Sequence, residues 1–266
     1  MPELPEVEGY RALAERCALG REIVVVDAED AWYLKRGLVA AAATAALVGR
    51  RLVSARRRGK LMLLDAGRPG AEADVVLGLH FGMSGRLIVD GRASVDRLLY
   101  APTGDETRHD RFTLHFSDGG WLAMRDPRRL GAVELDPDED RLGPDALTAT
   151  PADVRRALAG SAVALKARLL DQTRLAGIGN LIADEVLWRA GLAPGRPASS
   201  LTANELRRLH HHLSSGLAEL IRRGGSHLGD LQPERRPGGR CPRDHSELSR
   251  AVVGGRTTWW CPRHQH

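Results

Sequence analysis

The chain has 266 residues and a formal net charge of +5, with 42% hydrophobic and 27% charged residues. That length suits one large domain or two to three small ones, and the composition is that of an ordinary soluble protein with enough apolar residues for a core. No apolar run approaches the roughly 20 residues of a membrane span, the acidic start MPELPEVEGY is not a secretory signal, and three cysteines are too few for a disulfide framework, so a reducing, cytoplasmic setting is expected.

Taken in order, Glu6 to Leu19 reads as an amphipathic helix, with Val7, Tyr10, Leu13 and Leu19 roughly on one face and acids in its first turn. From Ile23 to Leu135 short β-rich runs alternate with turns: IVVV, LVSARRR, KLMLLD, DVVLGLHF, RLIV, RFTLHF, GWLAM and GAVEL. Strands at this spacing predict a sandwich or barrel. The acidic stretch 136–150 reads as a linker. Helical periodicity follows over Pro151–Ala159, Val163–Leu170, Ile178–Ala190 and Thr202–Arg222, the last opened by the capping-box pattern Thr202-Ala-Asn-Glu205. Residues 224–239 form a Gly/Pro/Arg loop, and 240–266 a compact module with a strand pair around VVGGR and TTWW.

Charge is unevenly placed. From Leu206 onward there are 11 Arg against 5 acidic residues, and a second basic cluster stands at residues 56–60. Such patches suit a polyanion such as nucleic acid. A merely solvated Arg-rich face fits the same count.

Four groups of residues carry chemistry. Removal of Met1 would leave Pro2 as a secondary α-amine, which titrates near ~7.7–8.0 and can attack an aldehyde-like carbon to give an iminium. Glu3 and Glu6 lie beside it as proton carriers, or as helix caps. Cys241-Pro-Arg-Asp244-His245 and Cys261-Pro-Arg-His264 are two chelating turns of the kind that closes a tetrahedral zinc site. Gly177 and Gly179 mark a turn before a helix opened by Asn180, whose free N–H groups would face a phosphate. Finally, His80-Phe-Gly-Met83-Ser-Gly-Arg86 and Arg125-Asp-Pro-Arg128-Arg-Leu130-Gly131 are turns presenting Met83 and Leu130 beside Arg. These are wedges that unstack bases, or strand-end core residues.

Together the segments PELPEVE (2–8), RRGK (57–60), HFGMSGRL (80–87), DPRRLG (126–131), LLDQTRLAGIGNLIADEVLW (169–188) and VVGGRTTWWCP (252–262) resemble the formamidopyrimidine-DNA glycosylase and endonuclease VIII family of bifunctional DNA repair enzymes, nearer the formamidopyrimidine branch. The resemblance implies an α+β multidomain fold. It comprises an N-terminal catalytic β-sandwich with an N-terminal helix (1–135), a linker (136–150), a helix–two-turn–helix DNA-binding domain (151–225), a short loop (226–239) and a C-terminal zinc-finger β-hairpin (240–266). It implies base-excision glycosylase and abasic-site lyase activity on double-stranded DNA with damaged bases or abasic sites, in a cytoplasmic, nucleoid-associated monomer. Pro2 would attack C1′, with Glu3 opening the sugar and Lys60 at the adjacent phosphate. His80, Met83, Arg128, Leu130, Lys166, Asn180 and Arg256 would contact DNA.

One structural zinc is implied, and here the chain departs from the family. The family's usual ligand set is four Cys, whereas His264 stands at one Cys position, and Asp244, followed by His245, at another. His245 is favoured beside Cys241, Cys261 and His264 for its imidazole. Leu130 replaces a Phe, and the segment between Ser226 and Cys241 lacks the long loop that covers an everted 8-oxoguanine. A non-catalytic damaged-DNA-binding protein on the same scaffold is the alternative, and would have no use for Pro2, Glu3 and Lys60 together. A hydrolytic zinc nuclease would need an open metal position.

Overall fold

The structure is a computed structural model that describes residues 2–94 and 106–266; Met1, whose removal would free Pro2, lies outside the described residues. The chain divides into two compact units, Pro2 with Glu6–Glu139, and Glu3–Pro5 with Asp140–His266.

The first unit is built on two antiparallel sheets. One has the order β1 (Ile23–Asp27), β7 (Asp110–Phe116), β8 (Trp121–Arg125), β5 (Arg86–Val89), β6 (Arg92–Ala93). The other runs β2 (Arg51–Arg58), β3 (Leu61–Gly67), β4 (Ala73–His80), β9 (Ala132–Leu135). Every second residue of β7 from Phe112, with Leu114 and Phe116, enters one core with Met62, Leu64, Leu77 and Leu79. In β2 a bulge between Leu52 and Ser54 resets the alternation, so Leu52 and Ala55 both reach that core. Helix α1 (Leu4–Cys17) lays Val7, Tyr10 and Leu13 on the same core, and the Tyr10 hydroxyl donates to the Gly85 carbonyl at 3.3 Å.

One helix was not legible as such. The run Ala40–Leu47 (AAAATAAL), inside the stretch expected to be strands, is α2, with Ala43 and Leu47 buried one turn apart. Its alanines have the highest helix propensity, but they give no polar–apolar contrast for a period to show.

The second unit holds α3 (Pro151–Leu158), α4 (Leu165–Leu169), α5 (Asn180–Ala190), α6 (Ala203–Arg223) and the hairpin β10 (Ser249–Val253)–β11 (Arg256–Trp260). Capping boxes start α3 (Thr150 with Asp153) and α6 (Thr202 with Glu205). Helix α6 buries the stripe Leu209, Leu213, Leu217, Leu220, whereas α5 is buried from Leu181 to Trp188 on every side. The stretch expected as a linker is partly packed: Ala146 and Ala149 enter the helical core, and Ala146 N–H donates to Ala176 O at 2.8 Å. A third, small core joins Trp188 of α5 to Leu231, Leu248, Trp259 and the two buried cysteines Cys241 and Cys261. No helix among the described residues is long and apolar enough to cross a membrane.

Phe112→Ala should cost about 3–5 kcal/mol of stability by leaving a cavity in the sandwich, whereas Val25→Ala, on an exposed face of β1, should stay within about 0.5 kcal/mol. Denaturant unfolding of both variants checks this; equal losses would contradict the assigned core.

Candidate active site, nucleic-acid interface and metal centre

Within the first unit a cavity of about 290 Å³ is lined by Pro2, Lys60, His80, Met83, Leu130 and the backbone turn at Phe81–Gly82. Five residues singled out from the sequence therefore share one concavity. Lys60 is presented by the two-residue loop Gly59-Lys60 that joins β2 to β3, closed by the pair Arg58–Leu61. Gly59 has φ +61° and Lys60 does not, the II′ pattern in which the first central residue must be glycine. A loop this short leaves the backbone of Lys60 little freedom. His80 ends β4. The residue is exposed, yet the desolvation its ring undergoes lowers its pKa from the ordinary value, with Lys60 and Arg36 pushing the same way against Glu134. That shift favours the neutral imidazole.

Leu130 is half exposed (50%) and Arg128 is exposed, so neither is a core residue. Met83 is half buried at the same cavity. Arg128 and Leu130 flank Arg129, whose backbone is left-handed (φ +53°) and whose guanidinium pairs with Asp30 at 2.6 and 2.7 Å.

In the second unit the N-terminus of α5 differs from the expectation of an open phosphate site. Glu3 is buried, and its carboxylate accepts from Leu181 N–H at 2.8 Å and Ile182 N–H at 3.1 Å. Two of the four orphan donors of that helix end are thus already taken by an internal anion. Gly179 is glycine because a Cβ there would collide with the Glu3 carboxyl. Sequence inspection places Glu3 beside Pro2 but gives no sign of a partner 178 residues away.

Asn180, at this turn, is half-buried. Its Nδ2 donates to Thr257 O at 3.1 Å, while its Oδ1 is buried and without a donor among the described residues. Arg256, next to Thr257, is exposed at the start of β11. Lys166, expected to contact DNA near the damaged base, is buried: its side chain is 0% exposed. Its Nζ lies 2.7 Å from Asp184 Oδ1, 2.7 Å from Thr258 Oγ1 and 3.2 Å from Thr257 O. Burial pushes the ammonium pKa down and Asp184 pushes it back up. Asp184 also pairs with Arg235 at 2.8 Å and accepts from Trp259 N–H at 3.3 Å. Lys166 therefore ties α4 and α5 to the hairpin that carries Arg256; it presents no charge to solvent. Asp184 and Arg235 were not singled out from sequence, because buried pairs carry no local signature.

The chelating turns converge, with one change. Cys241, Asp244, Cys261 and His264 place their ligand atoms within 4.8 Å of one another. Asp244 takes the position expected of His245. His245 has a left-handed backbone (φ +60°) and an exposed side chain, and its N–H closes the turn on Cys241 O at 2.9 Å. The two turns are thus alike, Cys-Pro-Arg-Asp and Cys-Pro-Arg-His, and this repeat of spacing was the signal that imidazole chemistry overrode. A tetrahedral ion with ligands at about 2.0–2.3 Å has edges of roughly 3.3–3.8 Å. The separations Cys241 Sγ–His264 Nδ1 (3.5 Å), Cys261 Sγ–Asp244 Oδ2 (3.4 Å) and His264 Nδ1–Asp244 Oδ2 (3.7 Å) fit it. His264 Nε2 sits 3.1 Å from Trp188 O, which selects the tautomer with Nδ1 free for a metal. Ser246 donates to Asp244 through hydroxyl and backbone N–H, holding that carboxyl below its ordinary pKa. The donor set and its outer partners fit a divalent metal.

A family model described as the formamidopyrimidine-DNA glycosylase N-terminal domain matches residues 1–133, and one for the H2TH domain of the same enzymes matches residues 142–231. The chain belongs to the formamidopyrimidine-DNA glycosylase family. It is 37% identical to the formamidopyrimidine-DNA glycosylase of Thermus thermophilus, over 98% of this chain and 97% of that one. With the Paracoccus denitrificans enzyme of the same name the identity is 34%, over 98% and 99%. The fold is similar to that of Lactococcus lactis Fpg in complex with DNA containing N7-benzyl-Fapy-dG (TM-score 0.82, 28% identity, 99% of both chains). It is likewise similar to the same protein in complex with abasic-site DNA (TM-score 0.81, 28% identity, 99% of both chains).

Two measurements check this geometry. Asp244→Ala should lower bound metal in elemental analysis while His245→Ala leaves it intact; the reverse would restore His245. His80 should titrate by NMR below an ordinary histidine. Because Lys60 disfavours the imidazolium, Lys60→Met should raise that pKa; a fall would contradict the pairing.

Proposed function

We propose that this protein is a base-excision DNA glycosylase with abasic-site lyase activity, acting on damaged double-stranded DNA through the nitrogen of Pro2. The observation that carries this reading is the cavity that Pro2 shares with Lys60, His80, Met83 and Leu130. A binding module without chemistry would have no use for a secondary amine and a lysine on one concavity.

The chemistry follows from those groups. Phosphate contacts by Arg256 and Asn180 position the duplex without reading sequence, and Met83, Arg128 and Leu130 fill the space of the everted nucleotide. The Pro2 nitrogen bonds to C1′ as the glycosidic bond breaks, and the base leaves with that electron pair and a proton. The C1′–O4′ bond then opens with proton transfer assisted by Glu3, leaving an iminium between Pro2 and C1′. The iminium draws electrons from C2′, so a C2′ proton is lost and the 3′ phosphate departs with its C–O electron pair. A second elimination releases the 5′ phosphate, and water frees Pro2. Lys60 serves the phosphate beside the lesion. His80, whose neutral form is favoured, serves as a hydrogen-bonding rather than a charged contact.

We place one structural zinc ion between Cys241, Asp244, Cys261 and His264. When bound it closes the two turns and orders a module with little core of its own. We place the protein in the cytoplasm with the nucleoid, as a monomer.

The segment 226–240 supports a narrow lesion range. Glu185 accepts from Asp230 N–H at 3.0 Å and Leu231 N–H at 2.9 Å, Arg235 is held by Asp184, and Leu231 is buried. A segment so committed to packing on α5 has no length left to cover an everted purine. Abasic duplex should therefore be cleaved faster than 8-oxoguanine duplex in a panel of lesion-bearing duplexes. A variant with one extra residue before Pro2 should cleave neither, since its nitrogen is an amide. Efficient 8-oxoguanine cleavage would overturn the lesion reading, and full activity of the extended variant would overturn the nucleophile. Arg256→Ala should weaken binding to all duplexes alike and reduce the salt slope by about one; a loss confined to one base pair would contradict a phosphate contact.

A further inference from the structure

Asp126, which has no part in the chemistry above, joins the two loops that carry the gap-filling side chains. It is fully buried. Its Oδ2 accepts from Leu130 N–H at 2.8 Å and Gly131 N–H at 2.7 Å, and the Tyr33 hydroxyl stands at 3.4 Å. Its Oδ1 accepts from the Ser84 hydroxyl at 2.5 Å and Arg128 N–H at 3.2 Å, and the same Arg128 N–H lies 3.3 Å from Ser84 Oγ. Ser84 follows Met83 directly. One carboxylate thus holds the backbone of Arg128 and Leu130 with one oxygen or the other, and reaches the Met83 loop through Ser84. Its own backbone is fixed as well: Asp126 N–H donates to His109 O at 2.9 Å, and Asp126 O accepts from Arg111 Nε at 3.0 Å.

We propose that Asp126 is the positioning residue for base eversion, keeping Met83, Arg128 and Leu130 in one register so that they enter the duplex as a unit. This rests on the function proposed above. A side chain that displaces a stacked base meets a restoring force, and a wedge on a yielding loop is pushed back. Leu130 is smaller than an aromatic wedge and half exposed, so its hold on the gap depends on its backbone. The loop has no sheet partner at residues 127–131; the N–H groups of Leu130 and Gly131 go to Asp126, and that of Arg128 is shared between Asp126 and Ser84 Oγ. A buried carboxylate satisfies all three and fixes where the side chains between them point. Gly82 of the other loop packs so closely on the Leu130 carbonyl that a Cβ would collide, so a shift at either loop is felt by both.

The test separates eversion from chemistry. Asp126→Asn keeps the shape but turns one acceptor into a donor facing N–H groups. Ser84→Ala removes the link to the Met83 loop and the second acceptor of Arg128 N–H, but leaves the Asp126 acceptors of Arg128, Leu130 and Gly131 in place, so it reports even if Asp126→Asn fails to fold. Each is assayed by borohydride trapping on single-stranded abasic DNA, where no base has to be displaced, and by cleavage of a duplex with a damaged base beside 2-aminopurine. Trapping on the single strand should stay within about twofold of wild type. Duplex kcat should fall on the order of 100-fold for Asp126→Asn, the scale of loss from an ångström misplacement, with a slower 2-aminopurine fluorescence rise and little change in KM. Ser84→Ala should fall less, in the same pattern. Wild-type duplex kinetics in both variants, or equal losses of single-strand trapping and duplex cleavage, would overturn the assignment. Absence of trapping in the wild-type protein would instead overturn the proposed function.

Discussion

The N-terminus of α5 needs an acceptor inside the protein, and residue 3 supplies it. Exposed N–H groups and the helix dipole favour an anion at that end, and the Glu3 carboxylate takes Leu181 and Ile182. The consequences run both ways along the chain. Gly179 has no room for a side chain, and Leu4 N–H closes on the Gly177 carbonyl at 3.3 Å. The covalent neighbour of the proposed nucleophile is thereby anchored. A free N-terminus frays by default; this one has its third residue buried against a helix end.

The same helix organises the candidate metal site at its far end. Over its 11 residues, roughly 16 Å, α5 offers Leu181 and Ile182 N–H to Glu3, Asp184 to Lys166 and Arg235, Glu185 to the segment at Asp230–Leu231, and Trp188 to Cys241 and His264. A helix buried on all sides has no polar face to spare, so each acidic side chain on it must be paired. Asp184 is matched by two cations, and it is the loss of Asp184 itself that would leave the buried Lys166 ammonium uncompensated, at about 3–5 kcal/mol. Candidate metal ligands, hairpin and helix are therefore tied into one assembly, from which Arg256 is exposed.

Much of this could be read from the residues and some could not. The sandwich strands announced themselves because Phe112, Leu114 and Phe116 alternate with polar neighbours, and α6 because its leucines recur every three to four residues. The alanines of α2 gave no contrast. Pro2, Lys60, His80, Met83 and Leu130 were found by motif, and they line one cavity because two tight turns and a strand end present them. Three features depended on distance in sequence. Glu3 and α5 are joined across most of the chain, Lys166 looks like an accessible cation until its burial against Asp184 is seen, and Asp126 looks like part of a turn rather than its centre. The choice of Asp244 over His245 rested on one backbone torsion: a left-handed residue at His245 turns the imidazole outward and leaves the carboxylate facing the sulfurs.

The central claim is that the nitrogen of Pro2 forms the bond to the sugar. The most direct measurement is peptide mapping by mass spectrometry of the borohydride-reduced adduct formed on abasic duplex. The account predicts a single deoxyribose-derived mass on the N-terminal peptide, with fragmentation placing it on Pro2. A map that places the adduct on Lys60 or on any other amine would contradict it.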